Sequence, residues 1–285
     1  MKVYKTVRGL QNHISKLKKA KKRIGYVPTL GALHNGHMSL IQLANKNCDI
    51  TVCSIFVNPT QFNEKTDLAK YPRTYEADSK LLKENDCDIL FFPAAKQVYP
   101  KGLDTTVNID FKKLDIVMEG AHRPGHFDGV AQVVKRLLDI VKPHELVMGQ
   151  KDFQQAAIIR HMLTALKMKT KLVIGATVRE EHGLAMSSRN ERLPKKLRKE
   201  AAIINETLLW VKDNLKKYDI PTLEKKALKK LRRPKFKPEY FEIADGYTLQ
   251  PLKSIKRKKY IVACTAVWAG DVRLIDNCIL KGEEK

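Results

Sequence analysis

The chain has 285 residues, 43% of them hydrophobic, and a formal net charge of +23. That is enough chain and apolar content for a sizeable core, in one large domain or two. No run of 18 apolar residues occurs, and the N-terminal "MKVYKTVRGLQNHISKLKKAKKR" has no apolar h-region or small-residue cleavage site, so neither a transmembrane helix nor a secretory signal is expected.

The first half of the chain alternates between two periodicities. "IGYVPTL" (24–30) reads as a short strand and "GHMSLIQLANKN" as a helix. "DITVCSIFVN" (49–58), continuous, apolar and β-branched, predicts a buried strand. "TYEADSKLLKENDC" (74–87) has helical spacing, and "DILFFP" (88–93) is strand-like. "FDGVAQVVKRLLDIVKP" (127–143) opens near an acidic residue and stops before Pro143, as a helix does. "ELVMG" predicts a strand, "KDFQQAAIIRHMLTALKM" a helix and "TKLVIGATV" a strand. This alternation predicts an α/β fold, a Rossmann-like, doubly wound parallel sheet whose ligands lie beyond the carboxyl ends of the strands.

After about residue 180 the pattern changes. "LPKKLRKEAAIINETLLWVKDNLKKY" (193–218) predicts one long amphipathic helix, and "TLEKKALKKLRR" another. "PEYFEIAD", "KYIVACTAVWAG" and "DVRLIDNCIL" are strand-like. The expected organisation is a domain over 1–180 and a smaller α+β domain over 181–285. Cys48, Cys53, Cys87, Cys264 and Cys278 are odd in number, form no C-x-x-C pair and sit mostly in apolar runs. They read as reduced thiols of a cytoplasmic protein. The excess charge lies in lysine runs such as "KLKKAKKR" and "KKALKKLRR" without interleaved aromatics. Solvated helix faces are therefore the preferred reading over a nucleic-acid footprint.

Four stretches at predicted strand ends carry chemistry. In "GALHNGH", glycines let the backbone approach a ligand. A following helix offers N–H donors and a positive dipole end to phosphate, and His34 and His37 can both donate hydrogen bonds there. A plain strand–helix turn with surface histidines explains that motif alone equally well. In "GLAMSSRN" (183–190), two hydroxyls and a forked guanidinium suit a polyphosphate, or an N-cap beside a surface arginine. In "GQKDFQQ" (149–155), Lys151 could neutralise developing phosphate charge, while Asp152 could meet ribose hydroxyls or cap the helix. In "SIFVNPTQF" (54–62), the amides of Asn58 and Gln61 suit a substrate with hydroxyls and a carboxylate, or form an Asn-Pro turn.

"VPTLGALHNGHMSL", "SIFVNPTQF…DLAKYPRT…EAD", "RPGHFDGVAQVV", "MGQKDFQQAAIIRHM", "TVREEHGLAMSSRN" and "RLIDN" occur in one order and spacing over roughly residues 1–280. Together they resemble the pantoate–β-alanine ligase family, within the H-x-G-H nucleotidyltransferases that carry a K-M-S-K-S-like loop. The resemblance implies ATP-dependent condensation of (R)-pantoate with β-alanine through a pantoyl adenylate, with Mg²⁺ on the ATP phosphates. It implies ATP contacts from Leu30, Gly31, Ala32, Leu33, His34, Asn35, Gly36 and His37, from Gly149, Gln150, Lys151 and Asp152, and from Val178, Met186, Ser187, Ser188 and Arg189. His37, His34 and Lys151 would be catalytic, His37 as proton donor. Gln61 and Gln155 would hold pantoate, and Asn58 and Gln61 would meet β-alanine. It further implies a homodimer and a mobile lid over 62–70, with no membrane or nucleic-acid partner. Two residues depart from the family pattern: Leu30 stands where Met is usual, a change of similar volume, and Asn35 stands where Glu is common. Trp268 is not matched to a position of that pattern, and core or interface packing is its default reading. Paired glutamines argue against an adenylyltransferase with a phosphorylated acceptor.

Overall fold

The computed structural model describes residues 1–61, 71–102 and 107–282; the expected lid over 62–70 lies outside them. Among the described residues there are nine strands; helices separate the first six, and the last three follow one another directly. β1 (Lys2–Tyr4), β2 (Ile24–Thr29), β3 (Ile50–Ile55), β4 (Ile89–Phe91), β5 (Glu145–Gly149) and β6 (Lys171–Gly175) form one sheet in the order β1-β4-β3-β2-β5-β6. Every neighbouring pair is parallel. β7 (Phe236–Asp245), β8 (Ile261–Ala269) and β9 (Val272–Lys281) form a separate antiparallel sheet. The α/β expectation with a smaller α+β element set is met, because buried, β-branched runs such as "ITVCSI" have no solvent-facing side and need cover on both faces.

The helices are α1 (Val7–Lys19), α2 (Asn35–Asn47), α3 (Tyr75–Glu84), α4 (Ala95–Val98), α5 (Glu119–His122), α6 (His126–Val141), α7 (Phe153–Ala165), α8 (Lys195–Glu200), α9 (Ile203–Asn214) and α10 (Ile220–Leu231). The single long helix expected over 193–218 is two, α8 and α9. At the break the Ala202 N–H bonds the Lys199 carbonyl and the Ile204 N–H bonds the Ala201 carbonyl, so i→i+3 bonds replace the α-helical pattern. Both alanines are buried. No Gly or Pro marks the place. β1 is only three residues long, and α1, although its apolar residues Val7, Leu10, Ile14 and Leu17 keep helical spacing, is not among the expected elements.

The described residues divide into two compact units. One comprises Met1–Phe111, Arg123–Gly149 and Ile158–Ala176; the other comprises Lys112–His122, Gln150–Ala157 and Thr177–Lys285. Val27, Ile41, Cys53, Leu82, Leu90 and Val147 belong to the first core, and Leu208, Val211, Leu223, Ile243, Ala263 and Val267 to the second. All five cysteines are unbridged thiols, as expected. Burial pushes the Cys87 thiol up to about 12, so it stays neutral and inert at ordinary pH. No helix among the described residues is long and apolar enough to cross a membrane.

In the second unit, Arg273 on β9 bridges two carboxylates, donating to Glu119 Oε2 at 2.7 Å and to Glu239 Oε2 at 2.5 Å. The Tyr240 hydroxyl donates to Glu119 Oε1 at 2.9 Å. Trp268, whose place the motifs left open, donates its indole N–H to Glu239 Oε1 at 3.1 Å. Burial alone would raise the Glu239 carboxyl, but the Arg273 and Trp268 donors outweigh it and hold it below the ordinary glutamate value. This network secures the short helix α5 to the antiparallel sheet.

In the first unit, β2 and β5 border the point where the sheet reverses its growth: β3 and β4 step outward from one side of β2, and β5 returns to the other. β2 pairs with β3 from Ile24 to Thr29, yet with β5 only at Gly25 and Tyr26. Pro28 has no N–H to extend that ladder. The carboxyl ends of β2 and β5 therefore part at the place where doubly wound sheets bind ligands.

Two anchors shape the loops at these strand ends. After β2 the backbone turns through Gly31 at φ +88° and Ala32 at φ +51°, the left-handed region that costs a non-glycine residue energy. Asp78, buried on α3, holds the turn: its carboxylate accepts from the Ala32 N–H at 2.9 Å, the Leu33 N–H at 2.8 Å and the Thr74 hydroxyl at 3.1 Å. After β3, the 3₁₀ turn Pro59–Gln61 lies against α6 at Gly129, where a Cβ would sit 2.3 Å from the Thr60 carbonyl oxygen.

Asp78→Ala strands two backbone donors and is expected to cost roughly 2–4 kcal/mol, with Asp78→Asn costing less because one acceptor remains; urea unfolding midpoints measure both. Gly129→Ala would gain about 1 kcal/mol from helix propensity alone. The backbone clash reverses the sign, and a net loss of about 1–3 kcal/mol is expected in the same measurement.

Candidate active site

The chain from β2 into α2 brings His34 and His37 together. His34 is the N-cap of α2, with φ −146° and ψ 174°. Its Nδ1 accepts from the Gly36 N–H at 3.2 Å, and His37 Nδ1 accepts from the His34 N–H at 3.3 Å. This is a capping box with imidazoles in place of the usual hydroxyl and carboxylate. An Nδ1 that accepts carries no proton, so each neutral ring keeps its proton on Nε2. The ring centroids are 4.1 Å apart. Two Nε2–H donors and the positive end of a 13-residue helix thus occupy one small region. Asn35 is exposed, and Gly31 is buried beneath the turn, where a Cβ would be 3.0 Å from Ile55 Cγ2.

Asn58 and Gln61 share the turn after β3. Asn58 is buried and spends its amide internally: Nδ2 donates to Thr60 Oγ1 at 2.9 Å, and to Gln61 Oε1 and the Gly129 carbonyl at 3.3 Å each, while Oδ1 accepts from the Tyr99 hydroxyl at 2.9 Å. Burial pushes the Tyr99 phenol up to about 12, which keeps it a donor. The Gln61 carbonyl lies 2.8 Å from His126 Nδ1 and accepts from Arg123 Nη2 at 3.5 Å. The "RPGH" segment therefore holds Gln61, and Gln61 is the half-buried amide of the pair. Gly149 closes β5 in the same unit.

The other candidates belong to the second unit. Gln150–Asp152 is a 3₁₀ turn that leads into α7. Lys151 Nζ lies 3.4 Å from Asp152 Oδ1, with the lysine side chain 20% and the aspartate 47% exposed. On α7 the two glutamines divide. Gln154 is buried, donating to the carbonyls of Leu114 at 2.7 Å and Val117 at 2.8 Å and accepting from the Glu119 N–H at 2.9 Å. Gln155, its neighbour, is half-buried.

Val178 and Met186 face each other across a tight loop, the Met186 N–H donating to the Val178 carbonyl at 3.0 Å. Ser187 caps the 3₁₀ helix Ser188–Arg192, its Oγ accepting from the Arg189 N–H at 3.3 Å. Beneath this turn, buried Asn190 donates to Glu180 Oε1 at 2.6 Å and to the Ala185 carbonyl at 3.0 Å. Burial alone would raise the Glu180 carboxyl, but donors from Arg198 and Asn190 hold it below the ordinary glutamate value. The N-cap and phosphate-loop readings of "MSSRN" are compatible: the cap sets the backbone of the turn that carries Ser187, Ser188 and Arg189.

The structure thus groups His34, His37, Asn58, Gln61 and Gly149 in one unit, and Lys151, Asp152, Gln155, Val178, Met186, Ser187, Ser188 and Arg189 in the other. The motifs did not reveal Asp78 or Gln154 as anchors. Asp78 stands in the quoted "EAD" block, and its position in the first turn of α3 was its only signal.

The family model described as Pantoate-beta-alanine ligase matches residues 2–279. A pantothenate synthetase of Bacteroides thetaiotaomicron is 45% identical over 278 residues, covering 97% of this chain and 98% of the relative. One from Thermotoga petrophila is 41% identical over 284 residues, covering 98% of this chain and all of the relative. Among solved structures, the pantothenate synthetase of Thermus thermophilus superposes with a TM-score of 0.91 at 36% identity, covering 99% of this chain and 100% of that one. The pantoate-beta-alanine ligase of Francisella tularensis, described as complexed with beta-gamma ATP and beta-alanine, superposes with a TM-score of 0.82 at 34% identity, covering 98% of each chain. Over nearly its whole length, then, the chain belongs to the pantoate-beta-alanine ligase family, and it is a ligase that joins pantoate to beta-alanine.

Proposed function

We propose that the ligation runs in two steps and releases AMP and pyrophosphate. A carboxylate oxygen of (R)-pantoate attacks the α-phosphorus of ATP, and the bond to the bridging oxygen of pyrophosphate breaks. The β-alanine amine then attacks the acyl carbon of pantoyl adenylate; AMP leaves with the electron pair of the acyl–oxygen bond, and the amine loses its proton. Neither step needs a protein nucleophile. Both need placement of the reactants and donors at oxygens that gain charge.

The imidazole capping box carries this reading. It gathers two imidazoles, 4.1 Å apart, at a helix N-terminus next to the carboxyl end of β2, where a doubly wound sheet binds its ligand. His37 is assigned as the proton donor and His34 as its partner on the phosphates. Lys151, Ser187, Ser188 and Arg189 are assigned to the triphosphate, Arg189 as the permanently charged fork. Leu30, Gly31, Ala32, Leu33, Asn35, Gly36, Gly149, Gln150, Asp152, Val178 and Met186 are assigned to ATP on the family resemblance, several through backbone groups. Gln61 and Gln155 are assigned to pantoate, and Asn58 with Gln61 to β-alanine. The internal bonds of Asn58 favour a part in setting Gln61 over direct contact.

Mg²⁺ enters with ATP as the co-substrate complex. The described residues contain no cluster of three or more metal-ligating side chains, and a Mg²⁺ carried by phosphate oxygens and water requires none. The ATP and β-alanine of the Francisella complex support the same substrates here. The net charge of +23 suits anionic substrates. A cytoplasmic homodimer completes the proposal on family grounds; light scattering that gives twice the chain mass supports it, and a monomer mass removes it.

Sustained AMP release from ATP is expected only with pantoate and β-alanine together, and ATP–pyrophosphate exchange with pantoate alone. Exchange that needs β-alanine would overturn the order of steps. His37→Ala and Lys151→Ala are each expected to lower the exchange rate by about 100-fold or more with folding intact; wild-type exchange in either variant removes its assigned role.

A further inference from the structure

The "RLIDN" block has no part in the reaction as assigned, yet its last two residues reach both groups of phosphate donors in the second unit. Asp276 and Asn277 are adjacent on β9 and both buried. Successive residues on a strand face opposite sides, and these two grip different loops. Asn277 Nδ2 donates to the Gln150 carbonyl at 2.9 Å and to the Lys151 carbonyl at 2.8 Å, and its Oδ1 accepts from Gln150 Nε2 at 3.2 Å. The side chain is fully used on one three-residue turn.

Asp276 accepts the two-pronged fork of Arg179, at 2.7 Å from Nη1 and 3.1 Å from Nη2. Arg179 Nη1 also donates to the Gly183 carbonyl at 3.1 Å, and Arg179 pairs through its backbone with Ala185. The loop so fixed runs directly into Met186, Ser187, Ser188 and Arg189. Asp276 Oδ1 accepts from the Asn277 N–H at 2.8 Å, which ties the two grips to each other. A bidentate carboxylate–guanidinium pair and a three-bond amide are geometrically demanding contacts. A chain that needed only a stable strand would have no use for either at two loop crossings.

We propose that Asp276 and Asn277 are a positioning pair for the first step of the ligation. Asn277 sets the backbone from which the Lys151 ammonium projects, and Asp276, through Arg179, sets the loop that presents Ser187, Ser188 and Arg189. The pair fixes these two groups of donors in one register, a register that neither loop encodes for itself. The proposal rests on the assignment of Lys151 and the serine–arginine loop to the triphosphate. A displacement of about 1 Å remote from the reacting atoms can cost about 100-fold in rate.

The test is ATP–pyrophosphate exchange with pantoate on the full-length protein, with unfolding midpoints measured in parallel. Asn277→Ala is expected to lower the kcat of exchange by about 10- to 100-fold, with the KM for β-alanine in the complete reaction within about threefold of wild type. The double variant Lys151→Ala/Asn277→Ala is expected to fall no further than Lys151→Ala, because residues that act as a unit lose their effect once. A merely structural role would instead multiply the two losses, and that outcome overturns the proposal. Asp276→Asn keeps the shape and one acceptor while removing the charge, and a loss about midway between wild type and Asn277→Ala is expected. If Asn277→Ala does not fold, Asn277→Ser and Asp276→Asn decide by the same criteria. Wild-type exchange in folded Asn277→Ala, with Lys151→Ala impaired, removes the pair alone. Wild-type exchange in Lys151→Ala removes the assignment of Lys151 and the pair's role with it.

Discussion

The first motif depends on where a few backbone N–H groups are spent. Ala32 and Leu33 donate to Asp78, Gly36 to His34, and His34 to His37. Each of these bonds fixes something beyond itself. The Asp78 carboxylate compensates the left-handed backbone at Gly31 and Ala32, and so sets the angle at which α2 begins. The two Nδ1 acceptors fix the ring planes and place the remaining proton of each neutral ring on Nε2. In the proposed reading, the bonds that cap the helix are also the ones that orient its imidazoles for phosphate.

The second unit reaches the same end by another route. Its donors sit on 3₁₀ turns, which supply few internal bonds to hold a side chain in place. Buried polar side chains take over: Asn190 under the serine loop, Gln154 in the first turn of α7, and Asp276 with Asn277 along β9. Burying such groups is costly without partners. Here the amide nitrogens of all three side-chain amides donate to carbonyl oxygens and Asp276 takes the Arg179 fork, while Asn190 Oδ1 is buried without a partner among the described residues. The cost of desolvation is what makes these contacts specific.

Much of the fold could be read from the chain. Period-2 and period-3.6 stretches located β2 through β9, most helices between them and the parallel class of the large sheet, because fully buried strands write unbroken apolar runs. The candidate site was readable where short polar blocks fell at strand ends. The break between α8 and α9 was not readable, because Ala201 and Ala202 keep helical dihedrals and only the hydrogen-bond pattern changes. Asp78 was hidden for a different reason. Its partners are backbone N–H groups 45 and 46 positions away, and an amide has no letter in the sequence. The internal bonds of Asn58 were not readable either, because an amide at a strand end is ambiguous until its neighbours are known. The inclusion of 112–122 with the C-terminal strands rests on Glu119 meeting Arg273 across 154 positions, which no local period records.

Gln154 and Gln155 are chemically identical neighbours in different surroundings, one buried and one half-buried. An α-helix advances roughly 100° per residue, so that division is an angular address, not a property of glutamine. The three residues between Gly149 and α7 act as an index that sets the zero of this rotation. One residue more or fewer there would turn the Gln154 anchor out of its place, with composition almost unchanged. At this site, the count of residues carries as much information as their identity.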